Sequence, residues 1–332
     1  MRFSSINARS LRAVPALLAG ALHLAITHPV FAQQVTARLG ALRPGIVVDA
    51  ASGVAYVMNR AGGISAVDLA SGTTRWTTNA GDKPLVLVGN LLVAQVDSRT
   101  TPNRLEIATL RTDARGRQAT RARSTLPAGV RVSLGETIDG MFHLTAQPGG
   151  ADVILSWSFV AVPRRGMEDE LDSLTRRELV AARPVVRRGA LRLRPSTGAL
   201  ATLDTTRVPM QREPQWILPA ESKLAGAAPQ QYESADGRHV VASERVADDR
   251  VWDTYRWTVY ERGGRRLGEL PTHLSFAPFV VRDSLVVFET TPYARGDQPP
   301  EPAKLRAYSL ATGREVWSVE VRELVYRGPY PP

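Results

Sequence analysis

Side chains that bind metal or transfer protons near neutral pH are scarce in this 332-residue sequence. It contains no cysteine, which excludes a thiol nucleophile and a cysteine-ligated metal. Beyond the first 30 residues only His143, His239 and His273 occur, and none has the i, i+4 spacing of a helical zinc pair. We interpret all three as packed or surface imidazoles and predict neither a metal centre nor a catalytic histidine.

Two short acidic clusters, Glu168-Asp169-Glu170 and Asp248-Asp249, are the other candidates for a cation site. Carboxylate oxygens suit calcium, but neither cluster has the alternating ligands and glycine of a calcium loop, so we interpret both as solvated surface. The sequence also lacks the glycine patterns of a nucleophile elbow, a P-loop and a dinucleotide-binding turn. No catalytic, cofactor-binding or metal-binding residue is therefore predicted.

The densest aromatic run, Trp252–Tyr260, leaves two interpretations open. Alternation along a strand places Tyr255 and Trp257 on one face and Trp252 on the other. The shared face either packs a hydrophobic core, as aromatic side chains usually do, or forms a stacking platform for a sugar. We favour core packing.

One motif, A-x-[DS]-L-A-[ST]-G-x-x-x-W, occurs twice, and each copy follows an alternating apolar strand. Its glycine suits the positive φ of a tight hairpin, and its polar residues can accept hydrogen bonds from free N–H groups of the turn. Its small alanine leaves room for a large ring from a neighbouring sheet, and its tryptophan can bury a large apolar face on the outer strand. The motif residues are Ala66, Asp68, Ser71, Gly72 and Trp76 in the first copy and Ala307, Ser309, Thr312, Gly313 and Trp317 in the second.

This pattern resembles the tryptophan-docking signature of PQQ-like, or quinoprotein-type, β-propeller repeats. The resemblance implies a propeller of four-stranded antiparallel blades. Catalytic members of the family carry an adjacent cysteine pair and calcium or lanthanide ligands from separate blades, in a longer eight-bladed ring. Because this sequence has no cysteine and no match to those catalytic motifs, the resemblance implies a non-catalytic branch, and none of the family's functional residues is carried over.

Strand pairs separated by glycine or aspartate turns recur along the chain at blade-like spacing. Five units are recognisable, at 44–79, 84–126, 130–205, 230–270 and 277–321. The third is too long for one blade, and its helical spacing near 166–182 predicts a short helical insertion. We therefore predict an all-β protein, a β-propeller of five to seven blades with six as the best estimate.

The two ends of the chain differ in composition from the rest. Residues 1–32 combine three arginines, an apolar run and a small-residue cleavage pattern ending at Ala32, which predicts a secretory signal peptide. An uncleaved N-terminal anchor is the alternative. The propeller domain is expected over 33–325, and the Pro-rich end 326–332 is expected to be an extended tail, either a disordered terminus or a docking peptide.

The distribution of charge along the sequence argues against nucleic-acid binding. The formal net charge is +10, but the arginines are scattered and often sit beside acidic residues, so we expect no nucleic-acid interface. We predict a periplasmic or secreted monomer with no membrane span after signal cleavage and no cofactor, binding another envelope protein or a small ligand at a propeller face. Two alternatives are an enzyme acting on polysaccharide (a lyase or hydrolase) in the central channel, and a domain that binds PQQ or another small ligand without turnover.

Overall fold

A computed structural model describes most of the predicted propeller domain. The described residues are 37–38, 42, 45–97, 101–134, 136–137, 140–161, 186–204, 230–234, 236–248, 253–290 and 301–322. They belong to the second of the two compact units of the chain, Thr36–Pro332; the first is Met1–Val35. The predicted signal peptide 1–32, the helical insertion near 166–182 and the tail 326–332 lie outside the described residues, so these predictions stay untested.

The described residues form 22 strands grouped into five sheets, numbered here in chain order. Sheet 1 contains β2 (Ile46–Asp49), β3 (Val54–Met58), β4 (Ile64–Asp68) and β5 (Thr74–Thr78). Sheet 2 contains β6 (Lys83–Val88), β7 (Leu91–Val96), β8 (Arg104–Arg111) and β9 (Arg117–Thr125), with a 3-10 turn at Thr112–Ala114. Sheet 3 contains β10 (Glu136–Thr137), β11 (Gly140–Gly149), β12 (Asp152–Ala161), β13 (Val186–Arg194) and β14 (Ala199–Leu203).

The two remaining sheets complete the set. Sheet 4 contains β15 (Gln230–Glu233), β16 (His239–Asp248), β17 (Asp253–Glu261) and β18 (Arg266–Thr272), and β1 (Ala37–Arg38) pairs in parallel with β15. Sheet 5 contains β19 (Phe279–Arg282), β20 (Leu285–Thr290), β21 (Lys304–Ser309) and β22 (Glu315–Glu320). Within every sheet, consecutive strands pair antiparallel in chain order.

The predicted all-β propeller is confirmed, and each of the five units recognised in the sequence corresponds to one sheet. Five sheets among the described residues lie within the predicted range of five to seven blades. The sixth blade of the best estimate has no counterpart among them, and residues 205–229, between sheets 3 and 4, are outside the described part of the chain.

Buried apolar side chains lie between neighbouring sheets. Four core clusters join sheets 1 and 2, sheets 2 and 3, sheets 4 and 5, and sheets 5 and 1. The last of these packs the end of the chain against its first sheet, where Asn59 and Val321 also form a β-bridge. None of the four clusters, as far as the described residues go, joins sheets 3 and 4. Packing of the last sheet against the first is the kind of contact by which propellers protect their sheet edges.

The aromatic run in β17 belongs to the core, as favoured from the sequence. Trp257 is fully buried, and its ring centroid lies 4.9 Å from that of Phe288 in sheet 5. Its Nε1 donates a hydrogen bond of 2.8 Å to the carbonyl of Leu274. Tyr255 is partly buried against the same cluster, and the buried Trp257 is not available as a sugar platform; Trp252 is outside the described residues.

Candidate docking groove

The two motif copies adopt the same hairpin. In the first, Ala66 lies directly opposite Trp76 on the neighbouring strand, and a bulge follows. In the second, Ala307 lies opposite Trp317, again with a bulge. Both alanines are fully buried. Each small side chain thus faces the strand that carries the tryptophan of its own motif.

The polar motif residues accept hydrogen bonds from the turn. Asp68 Oδ1 accepts from the N–H groups of Ala70 (2.9 Å) and Ser71 (3.0 Å), while its other oxygen accepts from Arg75. The Arg75 hydrogen bond and those from the turn lower the pKa of Asp68 to about 2. In the second copy the Oγ of Ser309 accepts from the N–H of Thr312 at 3.3 Å.

The motif glycines are required by backbone conformation and by close contact. Gly72 has φ +71° and Gly313 has φ +66°, the left-handed region that glycine adopts at least cost. A Cβ on Gly72 would lie 2.5 Å from the indole of Trp317, so a larger residue would displace that ring. Gly72 therefore permits both the backbone conformation of the turn and the close approach of Trp317 from sheet 5.

Trp317 docks sheet 5 onto sheet 1. It is 8% exposed, and its Nε1 donates a hydrogen bond of 3.1 Å to the carbonyl of Leu69, in the first motif's turn. Its ring lies over Gly72 of the same turn. The second copy of the motif thus supplies a tryptophan that is received by the turn of the first copy.

The same relation recurs at the other joined interfaces. We define the docking position as the fourth residue after the turn glycine, paired next to the bulge on the outer strand. It contacts the turn of the next sheet each time. The docking residues are Trp76 against Gly116, Thr120 against Pro195 and Gly198, Gly268 against Leu310, and Trp317 against Leu69 and Gly72. Thr120 reproduces the tryptophan hydrogen bond with its hydroxyl, which donates to Pro195 O at 3.1 Å.

Sheet 4 has glycine at the docking position, and this changes the interface with sheet 5. The backbone of β18 at Gly268 comes directly against Leu310, so that a Cβ there would lie 2.7 Å from the Leu310 carbonyl carbon and closer still to its oxygen. No tryptophan of the described residues lies on this turn, and the backbone of Glu269 and Leu270 lies against Gly313 instead. A groove of about 760 Å³ opens beside it, lined in sheet 4 by Val246, Tyr255, Arg256 and Arg266–Pro271 and in sheet 5 by Leu310–Arg314.

Val246 gives the groove an exposed apolar contact. It is the extra residue of a β-bulge in β16, where the pairing with β17 shifts between Arg245 and Ala247. Its side chain is 45% exposed, and among the described residues it is one of three large hydrophobic side chains exposed to this degree, with Val186 and Val316. Bulges often re-aim a side chain near functional sites, and here the bulged residue lines the groove.

Three arginines line the groove, and two of them form ion pairs. Arg256 pairs with Glu244 at 2.6 Å, and Arg266 pairs with Glu269 at 2.5 Å, all four side chains being roughly half-exposed. The guanidinium of Arg314 has no partner among the described residues. Because exposed ion pairs are weak, the two paired arginines also remain able to contact an acidic ligand.

The motif tryptophans Trp76 and Trp317 dock at interfaces 1–2 and 5–1, whereas Thr312 and Gly313 of the second copy line the groove at interface 4–5. Of the lining residues of sheet 4, only Tyr255 was considered from the sequence, as part of the aromatic run. A signal was present, since Gly264 is followed four residues later by Gly268, as Gly72 is by Trp76. Within the described residues no three metal-binding side chains gather, and no helix is long and apolar enough to cross a membrane.

Sheet 2 carries a separate charged cluster. The side chain of Glu106, 8% exposed, is shared by Arg104 (3.1 Å), Arg121 (2.8 Å) and Arg123 (3.1 Å). Burial acts to raise the pKa of Glu106, but the hydrogen bond from Arg121 and the charges of the three arginines outweigh it, and the pKa is lowered. The folded state therefore favours the ionised carboxylate.

We expect Glu106→Gln to lower the free energy of unfolding at pH 7 by about 1–2 kcal/mol, because three guanidinium groups lose a charged acceptor. The pKa of Glu106 is lower in the folded than in the unfolded chain, so its carboxylate stabilises the folded state at pH values above the ordinary carboxyl range. This stabilisation is lost as the pH falls through the pKa that Glu106 has in the folded chain. Urea unfolding at pH 7 and pH 3 should show the difference between variant and wild type shrinking in acid. Glu261→Gln, at an exposed pair with Arg265, is the control and should change little; an equal loss in both variants would contradict the cluster's role.

Comparison with known proteins gives only distant likeness. No family model matches the chain, and no curated protein matches it. Among solved structures it is similar to quinohemoprotein alcohol dehydrogenase ADHIIG from Pseudomonas putida HK5, at 12% identity and a TM-score of 0.25, covering 84% of this chain and 59% of that one. It is also similar to a europium-containing methanol dehydrogenase, at 12% identity and a TM-score of 0.23, covering 85% of this chain and 69% of the other. At such scores neither likeness bears on the chemistry of this chain.

Proposed function

We propose that this protein is an exported, non-catalytic member of the PQQ-like propeller repeat class that binds another protein of the cell envelope at the groove between sheets 4 and 5. The observation that carries the proposal is the groove itself. At the 5–1 interface the motif turn is covered by Trp317, whereas the equivalent turn Leu310–Arg314 borders an open groove of about 760 Å³.

The groove suits a protein partner better than an enclosed small molecule. Small-molecule sites usually bury most of their ligand in a concave pocket, whereas this groove lies open along the outer strand β18 and combines exposed Val246 with three arginines. Exposed apolar groups beside charged ones are typical of protein interaction surfaces. Arginine is among the residues enriched at interfaces.

A crosslinking experiment tests the proposal. A photoreactive residue at Ala311, which lines the groove, is expected to capture a single envelope protein in living cells. The matched control is Ala70, which occupies the same place in the first motif turn and is likewise exposed. Capture from both positions, or from neither, would contradict partner binding at this groove.

Export rests on the N-terminal sequence and predicts a defined processing product. Cell fractionation followed by N-terminal sequencing should find the mature chain in the periplasm or the medium, beginning at Gln33, because the cleavage pattern ends at Ala32. A membrane-bound chain that retains its first 32 residues would instead favour the N-terminal anchor. A full-length cytoplasmic chain would contradict export.

A further inference from the structure

We propose that the Glu106 cluster of sheet 2, formed by Glu106 with Arg104, Arg121 and Arg123, binds the doubly charged phosphate group of a phosphate monoester. None of these residues lines the groove between sheets 4 and 5, so the inference goes beyond the proposed function and is tested separately from it. Three features support it: the way one carboxylate holds three guanidinium groups, the exposure of those groups, and the charge of the four side chains together.

One buried carboxylate brings together arginines from two strands. Glu106 and Arg104 belong to β8, and Arg121 and Arg123 belong to β9, the outermost strand of sheet 2. The Oε1 atom of Glu106 lies 3.1 Å from the Nε atoms of both Arg104 and Arg123, and its Oε2 atom lies 2.8 Å from Nη2 of Arg121. Since the Glu106 side chain is only 8% exposed, its packing in the sheet also positions the three guanidinium groups.

The guanidinium groups keep N–H donors for a further acceptor. Each guanidinium has five such donors. Arg104 and Arg123 contact Glu106 through Nε, and their terminal nitrogens have no partner among the described residues. The side chains of Arg104, Arg121 and Arg123 are 36%, 35% and 55% exposed, so a ligand can reach them from solvent. Phosphate oxygens suit these donors, because the planar fork of arginine offers parallel N–H groups to two oxygens at once.

The charge of the cluster matches that of a dianion. Three guanidinium groups and one carboxylate sum to +2, and no second carboxylate of the described residues pairs with these arginines. The lowered pKa of Glu106 keeps its carboxylate ionised at neutral pH. A phosphate monoester carries about −1.5 to −2 charges at pH 7. A phosphate diester or a carboxylate carries a single negative charge, so either would leave the cluster with an excess of positive charge.

A second arginine cluster, in and beside sheet 5, differs in both charge and exposure. Arg306 pairs with Glu301 and Glu315, and Lys304 also pairs with Glu301, so these four side chains carry no net charge. The Arg306 side chain is only 12% exposed. Charges on an outermost strand such as β9 also hinder pairing between sheet edges, but scattered charges do so equally well. Edge protection therefore does not explain why three exposed arginines converge on Glu106.

Calorimetric titration of the purified full chain at pH 8 and constant ionic strength tests this site. The probes are methyl phosphate, which is a monoester dianion, and dimethyl phosphate, which is a diester monoanion. We expect saturable binding of methyl phosphate to one site per chain and at least tenfold weaker binding of dimethyl phosphate. Arg123→Gln and Arg104→Gln should each weaken the binding of methyl phosphate about tenfold, because each removes a charged donor of the site.

Arg117→Gln is the matched control, since Arg117 is exposed on the same strand as Arg123 and the substitution removes the same charge. This variant should bind methyl phosphate as the wild type does. Equal weakening by Arg117→Gln and Arg123→Gln, or equal binding of the two probes, would overturn the inference, because either result means general attraction between charges. The absence of saturable methyl phosphate binding would overturn it as well.

A phosphate monoester group occurs both on soluble compounds and on lipid headgroups, and a sedimentation experiment distinguishes these sources. Phosphatidylcholine vesicles with and without phosphatidic acid are mixed with the wild type and with Arg123→Gln. Sedimentation of the wild type that requires phosphatidic acid and is reduced by Arg123→Gln would identify the lipid headgroup as the ligand. Binding of methyl phosphate without such sedimentation would identify a soluble ester.

Discussion

Replacement of Trp317 by alanine is expected to lower the free energy of unfolding by about 3–5 kcal/mol, the usual cost of removing a buried tryptophan side chain. The ring is 8% exposed, packs in the cluster between sheets 5 and 1 and donates the hydrogen bond to Leu69. The substitution removes this apolar area and leaves a cavity at the contact between the last and first sheets. Urea unfolding followed by far-ultraviolet circular dichroism measures the loss.

Two further variants separate the causes of this effect. Trp317→Phe keeps most of the ring but removes the N–H donor, so we expect a smaller loss than with alanine. Trp76→Ala removes the equivalent ring at the 1–2 interface, where the side chain is only partly buried, and should cost less than Trp317→Ala. Equal destabilisation by Trp76→Ala and Trp317→Ala would contradict the larger contribution to the free energy of unfolding that we assign to the contact between the last and first sheets.

The fold could be predicted because its signals are local. Alternating apolar residues and turn residues mark strands and hairpins within a few positions, and the five recognised units correspond to the five sheets. The duplicated motif also indicated two hairpins of the same kind, each followed by a tryptophan that can bury a large apolar face. These features depend on neighbouring residues in sequence, which is why they are visible without coordinates.

The groove could not be predicted because it depends on contacts between sheets that are distant in sequence. Nothing in the local pattern of Arg266–Thr272 reveals that Gly268 meets Leu310, or that the bulge at Val246 turns that side chain towards the same place. Bulges shift the register, and one shifted residue exchanges the faces of a strand. The spacing from Gly264 to Gly268 was the only local signal, and it becomes meaningful once the docking position is defined in space.

Gly268→Ala is the most direct test of the interface that creates the groove, and we expect it to lower the free energy of unfolding by about 1–3 kcal/mol, the usual cost of overpacking. The new Cβ would overlap the carbonyl oxygen of Leu310 and lie 2.9 Å from its Cα. Because these are backbone atoms, a rotamer change cannot relieve the overlap, and β18 must move away from the turn. Thermal and urea unfolding should both show the loss.

Gly263→Ala supplies the control within the same hairpin, since a Cβ on Gly263 would meet nothing within 4 Å and its φ is not positive. This change should be neutral or slightly stabilising, because alanine restricts the unfolded chain more than glycine does. A Gly268→Ala variant as stable as Gly263→Ala would mean that β18 does not rest on the Leu310 turn. The docking position of sheet 4 would then be unlike those of sheets 1, 2 and 5, and the contact of Gly268 with Leu310 would not explain the groove.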